Sequence, residues 1–329
     1  MREALRARIE AALSARVFPG CAVGVVTRDG AREVVSAGSH TYDANARTVN
    51  AATLYDVASI TKSIPTASLA LVLIEEGTLS LDESIKSSLP ELQNDFGATV
   101  RDLLTYTVAG PRLSELKELP AEKMLATVFE RGFEGPPGES KYTNLPALLL
   151  GILLERRMKT TLDILARRYF FDPLKMHDTA FYAGAAFARA APTELEDWRG
   201  MVSGVTHDES AYTLAKAGHV SGHAGLFSTT NDMLIYLHAL LEEKDARMGA
   251  IVRGAEQGLG WQIGTQAWMG SLASPTTFGK TGFTGTSILV DRERGVAFSI
   301  LSNRTYPKRP STDDAIYAFR ADIANIILT

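Results

Sequence analysis

The sequence has little cysteine and no long apolar run, and each of these absences excludes some classes of protein. Cys21 is the only cysteine in 329 residues, so the chain forms no internal disulfide and no cluster of thiolate ligands around a metal. The longest apolar stretches, 69–74 and 148–154, are too short to cross a bilayer. Residues 1–10 read as a charged amphipathic helix rather than as the apolar core of a secretory signal. We therefore expect no membrane span and a cytoplasmic protein, or a periplasmic or secreted one where a signal peptide has been removed.

An excess of charge of one sign is also missing. The formal net charge is −4, from 34 basic and 38 acidic residues, and the basic residues do not cluster among aromatic ones. Nucleic acids and anionic membranes are therefore poor candidate partners. The fractions of hydrophobic (45%) and charged (22%) residues are typical of a globular protein. The length exceeds that of most single hydrophobic cores, which predicts two lobes.

Strand patterns stand at both ends of the chain, with a mostly helical stretch between them. The pattern predicts a helix over 2–16, a hairpin from 21–27 and 33–37, helices over about 59–220, a second hairpin from 285–290 and 296–302, and a last helix capped at Ser311 or Thr312. We expect an α/β (α+β) fold, in which an antiparallel sheet is flanked by the N- and C-terminal helices and an all-helical lobe is inserted. The predicted domains are 1–65 with 225–329 for the sheet and 66–224 for the helices, with the active site in the cleft between them.

The first motif, Ser59-Ile60-Thr61-Lys62, pairs a hydroxyl with an amine. A spacing of three residues at the start of a helix places both side chains on one face. A serine is a weak nucleophile until its proton is removed, and the apolar surroundings of Lys62 favour a neutral, proton-accepting amine. The helix N-terminus also offers free N–H groups to developing negative charge. In the alternative, Ser59 only caps the helix and Lys62 extends into solvent, which Pro65 in the second turn favours.

The second motif, Tyr142-Thr143-Asn144, precedes a helix predicted over 146–157. Tyr142 would act as a base where Lys62 and Lys280 stabilise its phenolate. Asn144 would hold Lys62 and the amide of a substrate. In the alternative, the motif is a packed ring followed by an Asx turn.

The third motif, Lys280-Thr281-Gly282, leads into a strand predicted over 286–290. Glycine at position 282 allows a substrate backbone to approach the strand edge. The N–H of Phe283 then joins that of Ser59 as a second oxyanion donor, and Lys280 offers a positive charge to a substrate carboxylate. In the alternative, the motif is an ordinary glycine-rich loop, since it lacks the remaining residues of a phosphate-binding loop.

These three motifs, in this order, resemble the active-site signature of the serine β-lactamase and penicillin-binding-protein superfamily. Tyr-x-Asn as the second motif is similar to the branch of class C β-lactamases, D,D-peptidases and family VIII esterases. Further segments that resemble this branch are 74–82, 102–105, 137–138, 172–176 and 224–229. The segments 205–211, 221–227 and 303–307 resemble a subgroup that contains N-acetylmuramoyl-L-alanine amidases and a penicillin-binding protein of low molecular mass.

The resemblance implies a serine hydrolase that forms an acyl-enzyme and uses no metal and no cofactor. It implies that Ser59 is the nucleophile, that Lys62 and Tyr142 transfer the proton, and that Lys280 binds a carboxylate and Tyr142. The residues expected to bind substrate are Asn144, Thr281, Gly282, Phe283, His207, Asp208 and His223. The preferred substrate is a peptide or muropeptide derived from the cell wall. The alternatives are a β-lactamase, a promiscuous short-chain carboxylesterase, and a penicillin-binding sensor that is acylated without turnover, which burst kinetics would reveal.

Two segments depart from the resemblance, and one loop raises the question of a metal. Residues 105–110 stand where relatives usually carry Thr-His-Thr-Ser-Gly, and Phe283 stands where many class C β-lactamases place a small residue, so the cleft wall differs and bulky β-lactams fit less well. Between positions 207 and 223, three histidines and two acids crowd together, which suits zinc in composition. No His-Glu-x-x-His spacing occurs, and we expect instead that His207, Asp208 or His223 lines the substrate cleft.

Overall fold

The computed structural model describes residues 1–181 and 189–329. Its helices are α1 (Arg2–Ser14), α2 (Ser68–Glu75), α3 (Val100–Thr105), α4 (Ala121–Arg131), α5 (Leu145–Met158), α6 (Leu162–Ala166), α7 (Asp172–Leu174), α8 (Glu209–Lys216), α9 (Thr230–Glu242), α10 (Ala246–Ala255), α11 (Gln266–Met269) and α12 (Asp314–Leu328). Its strands are β1 (Gly20–Thr27), β2 (Arg32–Gly38), β3 (Tyr55–Asp56), β4 (Ala180–Phe181), β5 (Glu194–Glu196), β6 (Gly200–Val202), β7 (Leu226–Ser228), β8 (Gln262–Ile263), β9 (Phe278–Thr281), β10 (Ser287–Asp291) and β11 (Val296–Ser302).

The main sheet is antiparallel and is built from both ends of the chain. Its strand order is β2-β1-β11-β10-β9-β8, and β1 pairs with β11 in the register that sets Cys21 opposite Ser302. This arrangement confirms the sheet predicted from the two terminal hairpins. The predicted hairpins differ from the strands only by one or two residues at their ends, where fraying makes any boundary uncertain.

The two faces of the sheet are covered by different helices, because side chains alternate along each strand. Val23 and Val25 of β1 pack in one buried cluster with α1 and α12. Ala22 and Val26, on the opposite face, belong to the larger cluster that continues through α9 into the central helices. The predicted flanking of the sheet by the N- and C-terminal helices is thereby confirmed.

The segment predicted to be all-helical also contains short strands. β4 joins β3 and β7 in a three-stranded sheet, and β5 pairs with β6. These strands are two or three residues long, which is too short for the alternation of apolar and polar residues that reveals a strand in a sequence. Residues 182–188 of the predicted helical stretch lie outside the described residues. The division of the chain at 65/66 and 224/225 stays a prediction.

A kinked helical segment carries the first motif through the core. A 3₁₀ turn (Ala58–Lys62) and a π-helical turn (Ser63–Ala67) run into α2, and Ile64, within the second turn, departs from helical geometry with φ −117° and ψ 111°. In the described part of the chain, Ala58–Glu75 is the segment long and apolar enough to cross a membrane, and 83% of it is buried inside the protein. The segment is therefore the central helix of the core, and it holds its N-terminus against the sheet edge.

Candidate active site

Ser59 stands at the start of this central helix, on a backbone held by Asp56. The residue before it, Ala58, has a left-handed backbone with φ 48°, a conformation that costs energy for a residue with a side chain and that concentrates at functional sites. The carboxylate of Asp56 accepts the N–H of Ala58 at 2.7 Å and, with its other oxygen, the N–H of His207 at 2.7 Å. Burial raises the pKa of Asp56 to about 6. Asp56 thus joins the turn that carries Ser59 to a loop about 150 residues away in sequence.

Lys62 lies against Ser59 and is buried, with 1% of its surface exposed. Its Nζ lies 2.7 Å from Ser59 Oγ and donates to the carbonyl of His223 at 3.0 Å. Burial lowers the pKa of Lys62 from its ordinary 10.5 to about 7, and the charge of Asp208 opposes that shift. Near neutral pH a substantial fraction of this amine is therefore unprotonated and able to accept the serine proton.

Tyr142 lies in the loop before α5 and faces both lysines. Its side chain is accessible, with the residue 52% exposed. The Nζ atoms of Lys280 and Lys62 lie 4.6 Å and 5.3 Å from the centre of its ring. The structure thus brings together Ser59, Lys62, Tyr142 and Lys280, the side chains to which the sequence assigns the chemistry.

Tyr106 is a member of the site that the sequence analysis did not name. Its ring lies 5.2 Å from that of Tyr142, and the Nζ of Lys280 lies 5.0 Å from it. Tyr106 ends α3 with a left-handed backbone, φ 57°, which turns the chain back toward the cleft. The sequence contained an indication of this role, because position 106 is where relatives usually carry the histidine of Thr-His-Thr-Ser-Gly.

The third motif is part of a strand and not of a loop. Lys280 and Thr281 end β9, with Lys280 opposite Ile288 of β10. The strand was missed because it is four residues long and contains Gly279, whose missing side chain leaves room for the ring of Trp268; a Cβ there would lie 2.8 Å from that ring. Burial lowers the pKa of Lys280, the charge of Tyr142 opposes that shift, and the charge of Lys62 adds to it.

The turn after this strand, residues 282–286, is joined to the backbone before Ser59. Thr284 Oγ1 donates to the carbonyl of Asp56 at 2.8 Å, and Thr286 Oγ1 donates to that of Val57 at 3.1 Å. A side chain at Gly282 would place its Cβ 2.4 Å from the carbonyl oxygen of Val57, so only glycine allows this approach. Within 1–181 and 189–329, no acceptor takes the N–H of Phe283. That N–H is available to a ligand.

Asn144 and Asp208 lie in the cleft wall, and their contacts differ from the expected ones. Asn144 Nδ2 donates to Asp208 Oδ2 at 3.1 Å. In the part of the chain that is described, Lys62 Nζ bonds to Ser59 and to the carbonyl of His223 instead of to Asn144, which corrects the expectation that Asn144 holds the lysine. Asp208 also caps α8 by accepting the N–H of Ala211 at 2.9 Å.

His223 is not among the described residues that line the cleft, contrary to the expectation that its side chain faces it, and its binding of substrate stays a prediction. It is fully buried beneath Asp208, with Nε2 3.2 Å from Asp208 Oδ1. Burial alone would raise the pKa of Asp208, but the neighbouring His223 and hydrogen bonds from His223 and Ser210 lower it. Asp208 is therefore ionised and its charge acts on Lys62, while the main-chain carbonyl of His223 accepts a hydrogen bond from the amine.

His207 lies in the cleft wall with one ring nitrogen unpaired. Its Nδ1 lies 3.0 Å from Thr193 Oγ1, whereas its buried Nε2 has no hydrogen-bond partner among the residues with described positions. Burial lowers the pKa of His207 to about 4, with Glu194 opposing, so the ring is neutral at pH 7. Its ring lies 5.6 Å from that of Phe283. The ring of Phe283, 40% exposed, covers this part of the cleft.

Ser59, Tyr142 and Phe283 open into one cleft of about 390 Å³. Its lining residues are Ala58, Ser59, Tyr142, Asn144, His207, Asp208, Glu209, Ala224, Thr281, Gly282, Phe283, Arg304, Arg309, Asp313, Tyr317 and Arg320. The predicted substrate residues Thr281, Gly282 and Phe283 are among them. The arginines were not predicted, although Arg304 belongs to the segment 303–307 that resembles one subgroup. Over 1–181 and 189–329, no group of three or more His, Cys, Asp or Glu side chains is arranged to hold a metal ion.

Known proteins are similar to this chain in sequence and in fold. The model of the Beta-lactamase family matches residues 5–323. A protein of Salmonella paratyphi A named "Putative D-alanyl-D-alanine carboxypeptidase" is 28% identical over 307 aligned positions, which cover 77% of this chain and 70% of that protein. The solved structure of D-alanine carboxypeptidase AmpC from Burkholderia cenocepacia matches with a TM-score of 0.75 and 20% identity over 99% of this chain and 98% of that one. A simvastatin synthase mutant from Aspergillus terreus matches with a TM-score of 0.73 and 19% identity over 98% and 93% of the two chains.

Proposed function

The chain belongs to the beta-lactamase family and is a serine hydrolase, and from that premise we propose that Ser59 carries the acyl group of a cell-wall-derived peptide or muropeptide. The observation that carries the proposal is the 2.7 Å contact between Ser59 Oγ and the buried Nζ of Lys62. The substrate class is supported by the curated relatives that are named as D-alanyl-D-alanine carboxypeptidases.

Acylation begins with the transfer of one proton. Ser59 Oγ attacks the carbonyl carbon as its proton passes to the unprotonated amine of Lys62, which the carbonyl of His223 holds in place at 3.0 Å. The carbonyl oxygen takes the negative charge and lies between the N–H groups of Ser59 and Phe283. Two fixed backbone donors at such a position stabilise the tetrahedral intermediate more than the substrate, which is what lowers the barrier.

Tyr142 then delivers the proton to the leaving nitrogen. The phenol ring lies within about 5 Å of both ammonium groups, so it is placed to pass a proton from Lys62 to the amine that departs. The acyl-enzyme is hydrolysed by the same route in reverse, with a water molecule in the place of the leaving group. Lys280 and Thr281 bind a carboxylate of the substrate.

The experiment that tests this function is intact-mass spectrometry with a panel of acyl donors. The protein is mixed with a muropeptide, a peptide ending in D-Ala-D-Ala, a penicillin, a chromogenic cephalosporin and a p-nitrophenyl ester. We expect an adduct on the peptide that contains Ser59, and turnover that is fastest for the muropeptide or the D-Ala-D-Ala peptide. Faster turnover of the cephalosporin or the ester would overturn the substrate class, and a single equivalent of adduct without turnover would make the protein a sensor. Turnover that persists in Ser59→Ala would overturn the acyl-enzyme at Ser59.

Tyr142→Phe is expected to lower kcat by about a hundredfold or more, because it removes the hydroxyl that transfers the proton and keeps the ring. The measurement is kcat on the best substrate of the panel. Tyr42→Phe is the control, since Tyr42 stacks on Arg16 outside the cleft, and it should leave kcat unchanged. An unchanged rate in Tyr142→Phe would show that Lys62 carries out the proton transfer without Tyr142.

The pH dependence of kcat/KM should report the protonation of the Lys62 amine. Because burial lowers the pKa of Lys62 to about 7, the amine is protonated below that pH and activity should fall on the acid side. The charge of Asp208 raises this pKa, so Asp208→Asn should move the acid limb to lower pH. Asp82→Asn, at an exposed ion pair with Arg101, should leave the profile unchanged. An acid limb that stays in place in Asp208→Asn would contradict the assignment of that limb to Lys62.

A further inference from the structure

A buried arginine supports the turn that carries the second oxyanion donor. Arg320 lies on α12 and is 2% exposed, among core residues of the same helix such as Ile316 and Ile323. A guanidinium loses much hydration free energy on burial, so it is kept in a core only where it makes specific contacts. Within the described ranges, no carboxylate lies within ion-pair distance of Arg320. Its charge is therefore not cancelled by a direct salt bridge.

The guanidinium donates to the two carbonyls that close the turn, and its Cζ lies 5.6 Å from the centre of the ring of Tyr317. Its Nη2 donates to the carbonyl of Gly282 at 2.9 Å and to that of Thr286 at 2.8 Å. Gly282 in turn donates its N–H to the carbonyl of Thr286 at 2.7 Å. One nitrogen of Arg320 thus binds both ends of the turn 282–286.

The carbonyl of Gly282 and the N–H of Phe283 belong to the same peptide group. A hydrogen bond from a cation to the carbonyl of a peptide draws electron density toward its oxygen and strengthens its N–H as a donor. No acceptor for the N–H of Phe283 lies among the residues that the structure describes, and Phe283 lines the cleft. Burial lowers the pKa of Arg320 to about 9, with the charge of Arg304 adding to the effect, so the group is still a cation at pH 7.

We propose that Arg320 is a positioning residue of the oxyanion site: it holds the turn 282–286 closed and polarises the Gly282–Phe283 peptide, so that the N–H of Phe283 binds the developing oxyanion more strongly. The inference rests on the proposed function, because it presupposes that Ser59 attacks a carbonyl. Arg320 acts through the peptide and need not touch the substrate.

The test compares Arg320→Gln with wild type in catalysis and in the binding of phenylboronic acid. The boron atom accepts the oxygen of Ser59 and forms a tetrahedral anion, so its affinity measures the oxyanion site without turnover. We expect kcat to fall by about tenfold to a hundredfold, KM to change little, and the inhibition constant of phenylboronic acid to rise by a similar factor. Arg320→Lys keeps the charge and should lose less than Arg320→Gln.

Ile316→Val is the matched control, because it weakens the packing of the same helix without touching the turn. It should lower the melting temperature and leave kcat and the affinity for phenylboronic acid unchanged. If Arg320→Gln does not fold, Arg320→Met, which keeps an unbranched side chain but removes the charge and the donors, takes its place, and wild-type kcat and boronate affinity in that variant would overturn the proposal. Unchanged values in a folded Arg320→Gln would also overturn it, while the Ser59 adduct of the wild type would leave the proposed function standing. A wild type without that adduct would refute the proposed function itself.

Discussion

Ser59→Ala is expected to abolish acyl transfer to every donor, with kcat falling on the order of 10⁶-fold, as when the nucleophile of a serine hydrolase is removed. The size of the loss follows from the arrangement of the site. Lys62 Nζ lies 2.7 Å from Ser59 Oγ, and without that oxygen the amine has no proton to accept and the oxyanion donors have no intermediate to bind. The measurement is kcat on the best substrate together with the mass of the protein after incubation with a penicillin.

The fold should survive this substitution, because Ser59 lines the cleft and its side chain fills no core position. Melting temperatures of the variant and wild type should therefore agree closely. Ser80→Ala, an exposed serine after α2, serves as the control and should keep full activity. Turnover near the wild-type rate in Ser59→Ala would refute the nucleophile and with it the whole mechanism.

The parts of the fold that could be predicted are those with a long, regular pattern. The strands β1 and β11 are rich in Val and Ile and have seven or eight residues each, and α1 and α12 have 13 and 15. A short strand such as β4 or β9 exists because its neighbours pair with it, and two to four residues carry too little local preference to show in the sequence.

In the candidate site, too, short-range contacts could be predicted from the sequence and long-range contacts could not. Ser59 and Lys62 are one helical turn apart, so their spacing alone predicts that the two side chains meet. The contact from Thr284 to the backbone of Asp56 spans 228 positions, and no local pattern predicts a contact of that range. The sequence gives a weak indication that Arg320 is buried, because this residue occupies an apolar position of α12, four residues after Ile316 and three before Ile323. A charged residue at such a position indicates a buried polar contact, but its partners are set by the tertiary fold.

Lys62→Met is the second substitution with a large expected effect, because it removes the base and keeps the volume of the side chain. We expect kcat/KM to fall by about 10² to 10⁴-fold, the range that general base catalysis supplies. Lys86→Met is the control, since Lys86 forms only a partly exposed ion pair with Asp95, and it should leave kcat/KM unchanged. Activity within about tenfold of wild type in Lys62→Met, beside a large loss in Tyr142→Phe, would assign the base to Tyr142 instead.

The stability of Lys62→Met separates the loss of a base from the loss of a structural contact. The pKa of Lys62 is about 7 in the fold against its ordinary 10.5, so between these pH values the unfolded chain binds a proton that the folded protein does not. The free energy of unfolding of the wild type should therefore rise relative to that of Lys62→Met as the pH increases from 7 to 10.5. Below pH 7 the folded wild type carries a buried ammonium, and the methionine variant should be the more stable protein there.

A variant that is inactive, folded and more stable at low pH would show that this lysine is kept for its proton chemistry, at a cost in stability. A variant less stable than the wild type at every pH would give Lys62 a structural role in its place.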